Sequence, residues 1–284
     1  MDGNVLPLII NGEFKKSQQK IADFIINNKK YAFTMTAAEL AKAAQVSEAT
    51  VVRFAMHLGF DGYHDFQKNL RLDTKNQLTA IDRMDIASQK AKGSDVIKSV
   101  MKSDMANIQK TLDQIDFSSV NTAIDALLSA KRIYIAGVRS SAALVSFAGF
   151  YFDLIFDNCS MVTSTGGADI IQQLFHVKEG DVVLGISFPR YSSDMVKALE
   201  FSKKQGAYVI SITDSMRSPI VEHSSCVLLA ESNIDSFADS LVAPMSVLNA
   251  LIFGVGYSRK EETKKTFEKL ENLWRDYEVY DFNK

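Results

Sequence analysis

The chain predicts two folds in succession: an all-α helix-turn-helix domain over residues 1–75, then an α/β domain with a doubly wound parallel sheet over 98–284. Three observations predict this. Residues 36–70 read as two short helices around a tight turn, followed by a third helix. From 132 onward, short continuously apolar runs alternate with helical segments, the pattern of parallel strands covered on both faces. Between the two patterns, residues 73–95 lose hydrophobicity and alternate in charge, so 76–97 is taken as a linker, partly helical. A length of 284 residues accommodates two domains.

The helical elements follow in order. Residues 15–29 (KKSQQKIADFIINNK) form an amphipathic helix with Ile21, Phe24 and Ile25 inward. Thr36 and Glu39 stand at capping-box spacing, so Thr36 starts the helix carrying Leu40, Ala41 and Ala44. Ala44-Gln45-Val46 supplies a turn. Ser47 caps a second helix, 47–58, whose Val51, Phe54, Ala55 and Leu58 fall at helical spacing, and Gly59 ends it. Small residues at Ala43 and Ala49 let the two helices cross closely, and 61–72 makes the next helix. In such a motif the second helix enters the major groove and its first turns meet base edges. Ser47, Glu48, Thr50, Arg53 and His57 are therefore the candidate DNA-contacting residues. Arg53 lies on the polar side, opposite Val51 and Phe54; an intramolecular ion pair is its alternative role. Helix pairs of this kind also occur in domains that bind no DNA, so the pattern alone leaves the function open.

The order of residues goes further. VSEATVVRFAMHLGFDGYHDFQKNL resembles the DNA-binding domain of the RpiR-type transcriptional regulators, through Val46, Ser47, Thr50, Val51, Arg53, Phe54, Leu58, Gly59, Phe60, Gly62, Tyr63 and Phe66. The resemblance implies a double-stranded DNA operator as partner. Charge alone does not predict one: the net charge is −2, and the first 75 residues hold ten Lys or Arg against eight Asp or Glu. So weak a basic balance favours a homodimer or homotetramer, in which phosphate contacts multiply. The apolar helix 236–257 and the helix 259–280, with Phe267, Leu270, Leu273 and Trp274, offer faces for assembly.

In the second half, helices at 98–115 and 118–130 precede the strand RIYIAG (132–137). Further strands are expected at 160–163, 182–187, 208–213 and 226–230, separated by helices at 141–156, 168–176 and 194–205 and a short piece near 218–223. Ligands of doubly wound sheets sit at the carboxyl ends of the strands. Two such ends carry hydroxyls just before a helix: Gly137-Val138-Arg139-Ser140-Ser141 and Ser187-Phe188-Pro189-Arg190-Tyr191-Ser192-Ser193. Free N–H groups and the helix dipole there favour an anion. Any one of these serines could equally be a simple cap.

Residues 118–257 resemble a sugar isomerase (SIS) domain, the effector-sensing half of RpiR-type regulators. Gly137 and Ser141 match its Gly-x-Gly-x-Ser loop, and Ser187 and Ser192 match its Ser-x-Ser-Gly-x-Thr loop. The chain departs from the pattern at Arg139, in place of the second glycine, and at Pro189 and Arg190, in place of serine and glycine. The resemblance implies a small anionic effector, a phosphosugar first, held by Ser140, Ser141, Ser187, Ser192 and Ser193 with Arg139 or Arg190 as charge partner. A sugar acid or other carboxylate is the alternative, since a carboxylate suits a bidentate arginine. A phosphosugar isomerase is the other alternative. It needs a positioned base, and His176 and His223 have no partner visible in the sequence, so no catalytic residue is assigned. No His or Cys cluster has metal-ligand spacing, and no cofactor is implied. Two cysteines, Cys159 and Cys226, argue against a disulfide framework. The N-terminal stretch lacks the features of a signal peptide, and 241–257 is short for a membrane span. A cytoplasmic regulator is the resulting expectation.

Overall fold

A computed structural model of the chain describes residues 5–75, 77–90, 96–163, 169–232 and 238–280. The chain divides into two compact units between Ser99 and Val100. The helical unit contains α1 (Val5–Asn11), α2 (Lys16–Asn27), α3 (Lys29–Ala32), α4 (Ala37–Ala43), α5 (Glu48–His57), α6 (Tyr63–Lys75) and α7 (Ala80–Lys90).

Local chemistry sets its boundaries. The Thr36 hydroxyl accepts from the Glu39 N–H at 3.2 Å, and Glu39 accepts from the Thr36 N–H at 2.7 Å, completing the expected capping box. The turn after α4 closes through the Val46 N–H donating to Ala41 O at 2.9 Å, with Gln45 in the left-handed region at φ 54°. Ser47 caps α5 through the Thr50 N–H at 3.3 Å. Gly59, at φ 91°, ends it, and the Phe60 N–H reaches Ala55 O at 3.2 Å. The core gathers on Phe66, whose ring centroid lies 5.9 Å from Phe54, 5.6 Å from Phe60 and 6.0 Å from Tyr63. Ile21, Ile25, Leu40, Val51 and Leu70 are buried with it.

Two parts of this unit go beyond the sequence reading. Residues 5–11 are helical, burying Val5, Leu6 and Ile9. The segment expected as a linker contains α7, which is packed rather than connecting. Leu78 and Ile86 are buried in the helical core, and Asp82 accepts from Lys30 Nζ at 3.2 Å. Among the described residues, Leu78 just before it and Ile86 within it are its buried apolar anchors, too few to register as a helical stripe.

The boundary falls within α8 (Val96–Gln114), and the second unit holds the rest of that helix, α9 (Phe117–Ser129), β1 (Ile133–Gly137), α10 (Ala142–Ile155), β2 (Cys159–Val162) and α11 (Asp169–Gln173). It continues with β3 (Val182–Ile186), α12 (Ser193–Lys204), β4 (Tyr208–Thr213), β5 (Cys226–Leu229), α13 (Val242–Ser258) and α14 (Lys260–Asp276). The piece near 218–223 is a 3-10 turn, Val221–His223. Of the expected helices, position 168 and positions 236–237 lie outside the described residues, and α13 starts only at Val242.

All five strands are parallel, in the order β2-β1-β3-β4-β5. Alternation along them builds two cores. Ile133, Ile135, Leu184, Ile210 and Ile212 pack with Leu127, Leu144 and Leu248 of α9, α10 and α13. Tyr134, Ala136, Val183 and Val209 pack with Ile170, Met195 and Leu199 of α11 and α12. The sheet is thus covered on both faces, as continuous apolar strands require. Both cysteines are free, and burial pushes the Cys159 thiol up to about 12. Among the described residues, no helix is long and apolar enough to cross a membrane.

Candidate functional site

The helical unit presents one polar surface built on the start of α5. Ser47, Glu48 and Arg53 are exposed there, opposite the buried Val51, Phe54 and Ala55. The Ser47 and Thr50 hydroxyls lie 2.8 Å apart, and Arg53 Nη2 donates to Thr50 Oγ1 at 3.3 Å. Ser47, Thr50 and Arg53 are therefore one connected group, and Arg53 makes no ion pair among the described residues. His57 is exposed but stands at the other end of the helix, about 15 Å along it, with its ring edge-on to Phe14 at 6.0 Å. Facing Ser47 and Thr50 across a cleft of about 430 Å³ are Lys15, Lys16, Ser17 and Lys20 of the α2 end, with Gln45 and Val46 of the turn. In the sequence these lysines register only as charges. The signal that could have found them is the run KKSQQK at the helix start, which puts Lys16 and Lys20 on one face.

The second site lies in the sheet. β1 and β3 are neighbours, with Gly137 opposite Ile186. After β1 the chain leaves for α10 on one face, and after β3 for α12 on the other. The order 2-1-3-4-5 thus opens a crevice between these two strand ends, the switch point at which doubly wound sheets hold ligands. Both expected loops start there.

Gly137 has no room for a side chain: a Cβ would stand 2.9 Å from Val145 Cγ2 and 3.2 Å from Ser141 O. That close approach brings Ser141 against the strand end. Ser141 and Ser187 are nearly buried, at 5% and 4% exposure. Ser141 and Ser192 each sit at a helix N-cap without a side-chain capping bond, so neither serves as the simple cap their positions suggested. Among the described residues the hydroxyls of Ser141, Ser187 and Ser192 make no hydrogen bond, whereas Ser140 donates to Asp239 Oδ2 at 2.8 Å. Ser193 is the exposed first residue of α12.

Arg139 and Arg190 are both exposed on these loops, and neither makes an ion pair among the described residues. Arg139 has φ 56°, a left-handed backbone that explains why the family pattern has glycine at this place. The β3 loop is fastened at Tyr191, whose hydroxyl donates to Asp214 Oδ1 at 2.7 Å. Burial and the Asp214 charge hold that phenol protonated, well above the usual tyrosine range. Nothing in the spacing of positions 191 and 214 announces this latch in the sequence. His176 and His223 precede β3 and β5, at the opposite end of the parallel sheet from the crevice. No cluster of three His, Cys, Asp or Glu side chains fit to hold a metal ion occurs among the described residues.

Known proteins match on both units. The model of the helix-turn-helix domain of the rpiR family matches residues 4–77, and that of the SIS domain matches residues 126–254. An uncharacterized HTH-type transcriptional regulator of Haemophilus influenzae is 30% identical over 240 residues, covering 80% of each chain. Among solved structures, the sugar isomerase domain of an RpiR transcription factor from Sphaerobacter thermophilus aligns with a TM-score of 0.59 at 23% identity, over 63% of this chain and 99% of that one. Vibrio vulnificus NanR, complexed with ManNAc-6P, aligns with a TM-score of 0.59 at 22% identity, over 96% and 99%. The capped helix-turn-helix, the five-stranded parallel sheet and these matches agree: the chain belongs to the RpiR family of DNA-binding transcriptional regulators, with a helix-turn-helix domain followed by a SIS domain.

Proposed function

We propose that this regulator senses a phosphosugar in the crevice between β1 and β3, and that the ligand changes its affinity for an operator duplex read by Ser47, Glu48, Thr50 and Arg53. The observation that carries the sensing half is the set of unengaged hydroxyls of Ser141, Ser187 and Ser192 at the switch point, flanked by Arg139 and Arg190. Three hydroxyls with a guanidinium suit the several acceptor oxygens of a phosphate. The fold neighbour NanR is itself complexed with a sugar phosphate. Sensing rather than isomerisation is the reading, because both histidines of this unit stand at the far end of the sheet. A sensor needs only differential affinity for two states. The reading places the protein in the cytoplasm, where its operator is.

The two arginines separate by substitution. Arg139→Gly restores the family residue and relieves a left-handed arginine, which costs about 1–2 kcal/mol, less the roughly 0.4–1 kcal/mol by which glycine favours the unfolded chain. Thermal stability is expected to hold or rise. Calorimetric titration of a phosphosugar panel should then show which arginine is the charge partner. Loss of binding and of its salt sensitivity in Arg190→Ala, but not in Arg139→Gly, would assign Arg190. Wild-type isotherms from both variants would remove both arginines from the site.

Assembly as a homodimer or homotetramer belongs to the same proposal. Phe150 of α10 and Phe253 and Tyr257 of α13 are 58%, 74% and 69% exposed, and the Phe253 and Tyr257 rings stack at 6.0 Å, an apolar pair of the kind that an interface covers. On α14, Phe267 and Leu273 are also exposed. Sedimentation at micromolar concentration is expected to give at least twice the 31.5 kDa chain mass, and Phe253→Glu to shift it downward. A wild-type monomer would remove this part of the reading.

A further inference from the structure

We propose that the cleft between α2 and the start of α5 is a clamp for a phosphate of the DNA backbone, with Lys15, Lys16 and Lys20 as its cations. The proposal rests on the family's DNA-binding role for the helical unit and adds a contact site outside the recognition helix. The lining is Lys15, Lys16, Ser17, Lys20, Gln45, Val46, Ser47 and Thr50. It holds three cations and no carboxylate. All three lysines are exposed, and none makes an ion pair among the described residues. By contrast Lys30, in the same unit, is bound to Asp82 at 3.2 Å and lies 3.9 Å from Asp85.

Placement decides what these charges do. The first 75 residues exceed neutrality by only two charges, ten basic against eight acidic. Spread evenly, so small an excess would hold a duplex weakly. At physiological salt, charges beyond about 8 Å from a phosphate are screened, so only local charge counts. Here three of the ten cations line a single cleft. That cleft also contains Ser47 and Thr50, at the end of α5 that meets base edges in a helix-turn-helix. The backbone bordering the major groove therefore passes it. Phosphate contacts fix register while base contacts specify sequence. Lysine, a mobile point charge with three donors, tolerates the varied geometry of a backbone phosphate. The hydroxyl of Ser17 and the amide of Gln45 supply neutral donors beside them.

The test replaces Lys15, Lys16 and Lys20 together by glutamine in the full chain. Binding is measured from low to moderate salt, on an operator duplex selected from a random pool and on a random duplex. A matched triple arginine variant and Lys265→Ala, on α14, serve as controls. Each lost phosphate contact should lower the salt slope by about 0.9. The glutamine variant is therefore expected to lose roughly one slope unit for each bound helical unit and at least tenfold in affinity. The loss should be the same on both duplexes, because phosphates carry no sequence. The arginine variant should retain the slope, and Lys265→Ala should match wild type. An unchanged slope in a glutamine variant with wild-type circular dichroism would overturn the clamp while leaving DNA binding intact. A loss confined to the operator would also overturn it, by making these lysines base readers. Failure of the wild type to bind any duplex would overturn the DNA-binding reading and the clamp with it.

Discussion

Replacing Phe66 by alanine is expected to abolish operator binding while leaving phosphosugar binding in place. Phe66 is fully buried at the meeting point of Phe54, Phe60 and Tyr63. Truncating a buried phenylalanine costs about 3–5 kcal/mol, through lost burial and the cavity left behind. Small domains are stable by only about 5–15 kcal/mol in total, so most of the margin of the helical unit would go. Phe54 carries the buried side of α5, and its loosening would free the helix that holds Ser47 and Arg53. The sheet's two cores share no residue with this cluster. Hydrogen exchange should lose protection in α4, α5 and α6 and keep it in β1, β3 and β4. Wild-type protection throughout the helical unit would contradict this account of its core.

Ser187→Ala has the second large expected effect. Its hydroxyl is 4% exposed, directly follows β3 at the switch point, and has no hydrogen bond among the described residues. Removing a hydrogen bond to a charged group costs about 1–3 kcal/mol, a weakening of roughly 5–150-fold. Stability should barely change, since no protein partner is left unsatisfied. Operator affinity without effector should also stay at the wild-type value. A titration of the phosphosugar that binds wild type, showing equal affinity in the variant, would remove this loop from the site.

Much of this was legible in the sequence because the responsible interactions are local. The Thr36–Glu39 box, the Ser47 cap and the Gly59 stop each depend on residues within a few positions of one another. The five strands were legible because strands buried on both faces, such as β1 and β3, must be apolar throughout. The two expected loops were found together at one crevice because the strand order places β1 beside β3. What escaped depends on contacts distant in sequence. α7 is held by Leu78, Ile86 and an ion pair to Lys30, 52 positions away. The Tyr191–Asp214 latch spans 23 positions. The lysine cleft joins residues 15–20 to 45–50, so composition could report only a weak charge. Arg139 looked like a simple departure from the glycine pattern, but its backbone still adopts the left-handed conformation that glycine serves.

If an anion in the β1–β3 crevice governs DNA binding, as proposed, operator affinity must respond to it. The most direct measurement is operator affinity, by fluorescence anisotropy, titrated with the phosphosugar for wild type and for Ser187→Ala. Wild-type operator affinity is expected to shift by about 5–150-fold, the usual range of coupling between sites. In the variant the response should move to correspondingly higher phosphosugar concentration, from an unchanged starting affinity. Superimposable response curves for the two proteins, or no response of the wild type to any phosphosugar that binds it, would rule out this crevice as the control site.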